Sequence, residues 1–207
     1  MTSFDTSDKT ADAGGTGRRK PGARRLQILQ TLAAMLEDPK GEKVTTAALA
    51  AKLGVSEAAL YRHFASKAQM FEGLIEFIET TIFGLINDID GKEPSGVKQV
   101  TKIVRMLLDF ATTNRGMTRV LIGDALVNEH ERLQERINQL TERIESSLRQ
   151  SFRVAVTQQE LPAGTDANAR AAVVVAYVIG RWHRFAKSGF RKAPGDGLEV
   201  QLPTLLA

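Results

Sequence analysis

Apolar residues along most of this 207-residue chain recur at every third or fourth position, which is the repeat of a helix with one buried face. The set Leu26, Leu29, Leu32, Ala33 and Leu36 is the first example. No segment alternates between apolar and polar residues as a half-buried strand does. We therefore predict an all-α fold of roughly eight or nine helices, which excludes the Rossmann and P-loop architectures.

The chain contains no cysteine, which excludes disulfides, thiol nucleophiles and cysteine-ligated metals and suits a reducing cytoplasm. The longest strictly apolar run, residues 171–179, is far shorter than the ~20 residues that a membrane-spanning helix needs. Residues 1–16 lack the apolar segment of a secretory signal. We expect a cytoplasmic protein without a membrane segment.

Positive charge is concentrated in one quarter of the chain. Residues 18–71 contain ten Lys or Arg and four acidic residues, whereas residues 72–207 contain equal numbers of each sign. A basic segment of this kind is typical of a surface that binds a polyanion such as nucleic acid. A solvated basic surface without a partner is the alternative that charge alone leaves open.

The segment TTAALAAKLGVSEAALYRHF, residues 45–64, has the pattern of a helix-turn-helix. Thr45 or Thr46 can cap the first helix, and Ser56 can cap the second. Gly54 between them tolerates the positive φ that the turn requires. In a DNA-binding helix-turn-helix the second helix enters the major groove, where base edges are read. A generic helical hairpin is the alternative.

Small and polar residues at the start of the second helix leave room for it to approach DNA. Glu57 either accepts a hydrogen bond from cytosine N4 or interacts with the helix dipole from the first turn. Tyr61 and Lys67 are expected to contact phosphates, which fix register rather than sequence. The full set of expected DNA contacts is Thr45, Thr46, Ser56, Glu57, Ala58, Tyr61, Arg62, His63 and Lys67.

Loops and composition divide the chain into three parts. We predict that residues 1–22 form a disordered basic tail, either a DNA-reaching arm or a solubilising segment. Residues 23–71 are assigned to the helix-turn-helix DNA-binding domain. Residues 72–207 are assigned to a helical domain for dimerisation and partner binding.

The string VSEAALYRHFASKAQMF, residues 55–71, resembles the DNA-binding signature of the TetR family of dimeric regulators. LIEFIE (74–79) and RLQERINQLTERIESSLRQ (132–150) resemble the nucleoid occlusion members of that family. The resemblance implies a nucleoid-associated homodimer that binds double-stranded DNA and, when bound, antagonises polymerisation of the tubulin-like division protein FtsZ. The tail, the loop at 90–96 and residues 157–170 depart from the family pattern.

Two C-terminal segments have the pattern of an interface between subunits. The first segment in the chain carries an apolar stripe among charged residues, and the second is apolar on all sides. Gly180 in the second segment would allow two helices to approach closely. A core within one chain is the alternative. The residues predicted at the dimer interface are Leu133, Ile137, Leu140, Ile144, Leu148, Val174, Tyr177, Val178 and Trp182.

By resemblance, a groove between the helix that follows Ser66 and the helix at 97–111 receives the C-terminal tail of FtsZ. The expected groove residues are Phe77, Met106, Phe110 and Asn114. An exposed apolar groove with polar ends suits a peptide with hydrophobic anchors. Ordinary core packing is the alternative for these side chains.

Two other functions compete with a division inhibitor. A TetR-type repressor released by a small ligand would use the same DNA-binding half, but it needs a closed pocket in residues 72–150. An all-helical enzyme is the third hypothesis, and the chain shows no constellation for acid–base or nucleophilic catalysis. The three histidines lack metal-ligand spacing, so we expect no metal and no cofactor.

Overall fold

Helices form where the apolar residues recur at helical spacing. The computed structural model describes residues 22–38 and 44–206, so all of the predicted tail except Gly22 lies outside the described residues. The described residues contain no strand, and the all-α prediction is confirmed. The helices are α1 (Ala23–Met35), α2 (Thr46–Leu53), α3 (Glu57–Tyr61), α4 (Lys67–Lys92), α5 (Gly96–Thr113), α6 (Arg115–Leu121), α7 (Glu131–Thr157), α8 (Ala167–Lys187) and α9 (Leu198–Leu206), with a short 3-10 turn at Asp124–Leu126 before α7.

Side-chain caps mark the beginning of several helices. A serine, threonine or aspartate precedes the first turn and accepts a hydrogen bond from a backbone N–H that has no partner within the helix. The capping residues are Thr45 for α2, Ser56 for α3, Ser66 for α4, Ser95 for α5 and Asp166 for α8. Local sequence therefore determines where these helices start.

Helix α4 belongs to both parts of the molecule. Its buried residues run from Met70 and Phe71 in the first turns to Ile82 and Ile86 near its end. The helix packs against α1 of the DNA-binding domain and against α5 and α7 of the C-terminal domain. The predicted boundary after residue 71 therefore falls inside a continuous helix.

The apolar stripe of α7 is covered within a single chain. Its five members are between 0 and 3% exposed, because α4, α5 and α8 pack against this face. On α8, Val174, Val178 and Trp182 are likewise buried. The prediction that these residues lie between subunits is therefore wrong for Leu133, Ile137, Leu140, Ile144, Leu148, Val174, Val178 and Trp182.

Two polar contacts fasten α8 to its neighbours. The indole Nε1 of Trp182 donates a hydrogen bond to the carbonyl oxygen of Leu107 at 3.0 Å, which satisfies a buried donor. Tyr177 is half-buried, and its hydroxyl is 2.6 Å from Oε1 of Gln201 on α9. Both side chains thus hold α8 in place inside one chain.

Candidate nucleic-acid interface

The helix-turn-helix has the geometry that its sequence predicts. Thr45, not Thr46, caps α2, and Ser56 caps α3 by accepting from the N–H of Ala59 at 3.3 Å. Gly54 ends α2 in the left-handed region at φ 64°. Leu60 is 1% exposed, so α3 rests on the core by this side chain.

Most of the predicted DNA contacts lie on the surface of this domain. Thr45, Ser56, Glu57, Ala58, Tyr61 and Arg62 are exposed, whereas Thr46, His63 and Lys67 are half-buried. Tyr61 keeps 44% of its area accessible, so its ring and hydroxyl are available to a ligand. The exposed set forms a polar surface at the N-terminal end and along the outer side of α3.

A hydrogen bond between the two helices orients Glu57. The hydroxyl of Thr46 donates to Oε2 of Glu57 at 2.6 Å, which joins the start of α2 to the start of α3. Glu57 also lies in the first turn of α3, where a carboxylate interacts favourably with the helix dipole. The hydrogen bond and the dipole therefore both orient the carboxylate at the N-terminal end of α3.

Arg25 on α1 supports the far end of α3, and sequence reasoning did not single it out. Its Nη1 donates to the carbonyl oxygen of His63 at 2.5 Å, and its guanidinium carbon lies 4.1 Å from the ring centroid of Phe64. A cation over an aromatic face and a charge-assisted hydrogen bond both stabilise this arrangement. The only hint in the sequence was the basic run that contains Arg25.

Lys67 is held in a different position from the one expected of a phosphate contact. Its ammonium group forms an ion pair with Oε1 of Glu129, and the two side chains are only 21% and 11% exposed. The ammonium also lies 5.6 Å from the ring centroid of Phe71. In this conformation the charge of Lys67 is neutralised from the C-terminal domain.

The outer side of α8 presents small side chains to solvent. Ala172, Val173, Ala176 and Gly180 are exposed, and Val173 keeps 58% of its area accessible. A Cβ atom built on Gly180 would have no neighbour within 4 Å among the residues that the structure describes. This surface differs from the buried residues that the sequence assigned to the dimer interface.

The four residues of the expected partner groove separate into two pairs. Phe77 and Met106 are half-buried and pack against the core from its edge. Phe110 and Asn114 are 6% and 7% exposed, and Nδ2 of Asn114 donates to the carbonyl oxygen of Phe110 at 2.9 Å. Because they are buried at the junction of α5 and α6, the prediction that Phe110 and Asn114 line an open groove is wrong.

Family models match both parts of the chain. Residues 39–74 match the model of bacterial regulatory proteins of the tetR family, and residues 95–207 match a tetracyclin repressor-like, C-terminal domain of the SlmA type. The nucleoid occlusion factor SlmA of Idiomarina loihiensis is 47% identical over 178 residues, which are 86% of this chain and 91% of that protein. The factor of the same name from Vibrio cholerae is 49% identical over 172 residues, or 83% and 88% of the two chains.

The chain belongs to the SlmA family, within the TetR regulators. The resemblance to nucleoid occlusion members of the TetR family is thereby confirmed. Membership makes the chain a non-enzymatic DNA-binding regulator, so the hypothesis of an all-helical enzyme is dropped.

The fold of this chain also occurs in a solved transcriptional regulator. The transcriptional regulator FadR from Bacillus subtilis, solved with stearoyl-CoA, superposes with a TM-score of 0.74. It is 12% identical and covers 88% of this chain and 97% of its own. Among the described residues, no helix is long and apolar enough to span a membrane, and no cluster of three metal-ligating side chains occurs.

Proposed function

We propose that this chain is a nucleoid occlusion factor that binds double-stranded chromosomal DNA as a homodimer and, in the DNA-bound form, antagonises FtsZ polymerisation. The proposal rests chiefly on α3, which is exposed, is capped by Ser56 and carries the oriented Glu57. It also rests on the match of both parts of the chain to proteins named for nucleoid occlusion. Base-reading groups and phosphate contacts then come from one short helix and its flanks.

The exposed side of α8 is the surface we assign to the second subunit. A single helix-turn-helix reads a short half-site, so a dimer is needed for a full operator. Ala172, Ala176 and Gly180 lie one turn apart, and side chains this small permit two helices to approach closely. An interior glycine costs a helix roughly 1 kcal/mol relative to alanine, and among the described residues a Cβ atom on Gly180 would have open space around it.

Replacing Gly180 with Leu tests this assignment. The side chain fits within one subunit but would separate two closely packed helices, so the dimer dissociation constant should rise by about ten-fold or more. Gly84→Leu is the matched control, because Gly84 is also an exposed glycine inside a helix with open space around it. The dimer dissociation constant of each variant is measured by sedimentation equilibrium. Equal dissociation constants for the two variants would contradict an interface on α8.

The partner site is proposed at the edge between α4 and α5, around Phe77 and Met106. Both side chains are half-buried, which leaves part of their apolar surface accessible to a peptide. Phe110 and Asn114 are assigned a supporting role, since the Asn114 amide donates to the Phe110 carbonyl oxygen at the end of α5. The proposed ligand is the C-terminal tail of FtsZ.

Phe77→Ala should weaken binding of a labelled FtsZ tail peptide by about ten-fold or more, because aromatic anchors commonly carry ~2 kcal/mol at an interface. DNA binding should not change. Phe83→Ala is the matched control, since Phe83 is a half-buried aromatic residue on the same helix that contacts Arg143 of α7 instead. Equal loss in both variants would indicate general destabilisation rather than a peptide site.

The decisive experiment is sedimentation of FtsZ polymers with this protein, with and without genomic DNA fragments that it binds. Loss of pelleted FtsZ only when both protein and DNA are present supports the proposal. Wild-type protein that binds DNA but neither the peptide nor FtsZ would instead favour the ligand-responsive repressor.

A further inference from the structure

Helix α6 lies against the end of α1 at a position where only glycine fits. A Cβ atom on Gly116 would lie 2.0 Å from the carbonyl oxygen of Ala33 and 3.2 Å from Cβ of Leu36. The nearest atom belongs to backbone, so no side-chain rotation relieves the contact. The two helices are therefore in direct backbone contact between the DNA-binding domain and the C-terminal domain.

Arg119, one turn further along α6, strengthens the same junction. Its Nη1 donates to the carbonyl oxygens of Leu36 at 3.2 Å and Asp38 at 3.1 Å, just beyond the end of α1. Carbonyls at a helix C-terminus lack partners within the helix and carry partial negative charge, which a guanidinium satisfies. The Arg119 side chain is only 13% exposed, and its contact with Leu36 is partly buried, whereas the contact with Asp38 is exposed.

Asp124 extends the contact from α1 to α8. It accepts from Nε of Arg119 at 2.8 Å and forms an ion pair with Lys187, the last residue of α8. Burial acts to raise the pKa of Asp124, but hydrogen bonds from Lys187 and Arg119 outweigh it and lower the pKa below its usual value. The carboxylate thus stays charged at neutral pH and links the two cations.

We propose that Arg119 is a positioning residue that fixes the angle between the DNA-binding domain and α8, and so determines which half-site spacing the dimer accepts. The inference rests on the proposed function, because α8 carries the surface assigned to the second subunit. Two recognition helices must meet major grooves about 34 Å apart on one side of the duplex. A domain that rotates about the end of α1 would shift its recognition helix along the groove and relax this requirement.

The test uses the full chain and an operator selected from random DNA with the wild-type protein. Binding is then measured to that operator and to versions with one or two base pairs inserted between the half-sites. Wild-type protein should strongly prefer the native spacing. The preference is the dissociation constant for an operator with an insertion divided by that for the native operator. In Arg119→Met this ratio should fall by roughly three- to ten-fold, which is in the range by which residues at such junctions modulate coupling. Arg105→Gln, which removes an exposed ion pair between α5 and α9, should keep the wild-type ratio.

A second variant tests the proposal independently, in case Arg119→Met does not fold. Lys187→Met breaks the same chain of contacts at a side chain that is 53% exposed, and it should relax the spacing preference in the same direction. Parallel loss of affinity at every spacing, in either variant, would overturn the proposal and leave a purely structural role. A lower salt slope with an unchanged ratio would instead make Arg119 a direct phosphate contact. Failure of the wild-type protein to select any operator would overturn the proposed function itself.

Discussion

The DNA-binding domain and the C-terminal helices are stabilised by different interactions. Helix α3 has five residues and buries only Leu60, so its position depends on the Ser56 cap and on Arg25 at its far end. Helix α7 has 27 residues and buries eight of them against three neighbouring helices. The cap and the Arg25 contact therefore position α3, which buries little apolar surface of its own, whereas apolar burial against three helices stabilises α7.

The largest effect is expected in the C-terminal core. Leu148 is fully buried, so Leu148→Ala should lower the free energy of unfolding by about 2–5 kcal/mol. The exposed Gln139 on the same helix provides the control, and Gln139→Ala should change stability by less than about 0.5 kcal/mol. Urea denaturation measures both. Similar values for the two variants would show that burial does not stabilise α7.

An intermediate effect is expected at the helix cap. Ser56→Ala removes the acceptor for the first turn of α3 and should cost about 1 kcal/mol. Ser56→Asp keeps a capping oxygen and should restore stability, yet its negative charge should weaken DNA binding. Thermal melts and fluorescence anisotropy separate the two properties. If Ser56→Asp binds DNA as tightly as wild type, the N-terminus of α3 does not face DNA.

The smallest effect on stability is expected at the exposed face of α3. Arg62→Gln should leave unfolding within about 0.5 kcal/mol of wild type and reduce the salt slope of DNA binding by about one. Tyr61→Phe removes a neutral hydroxyl, so it should weaken binding to all sequences without changing the slope. Anisotropy titrations at several salt concentrations measure both. An unchanged slope in Arg62→Gln would show that Arg62 does not contact a phosphate.

Sequence alone predicted the features that depend on neighbouring residues. The turn at Gly54 and the cap at Ser56 involve atoms within four positions of each other, so local pattern was sufficient. The stripe on α7 was recognised as buried for the same reason. Its partner was assigned wrongly, because periodicity identifies an apolar face but not the surface that covers it.

Contacts between distant residues were missed because nothing local marks them. Arg25 and Arg119 donate to backbone carbonyls 38 and about 80 positions away, and any residue supplies a carbonyl. Helix α9 also escaped prediction, since it is short and contains Pro203. It forms because Leu198 and Leu202 are buried where α9 packs on α5 and α8.

The ion pair between Lys67 and Glu129 gives DNA binding a consequence for the C-terminal domain. A phosphate that binds the Lys67 ammonium must displace a carboxylate that is almost fully covered. Such a contact would leave the carboxylate just before α7 without its cation, so DNA binding would be coupled to a charge in the C-terminal domain.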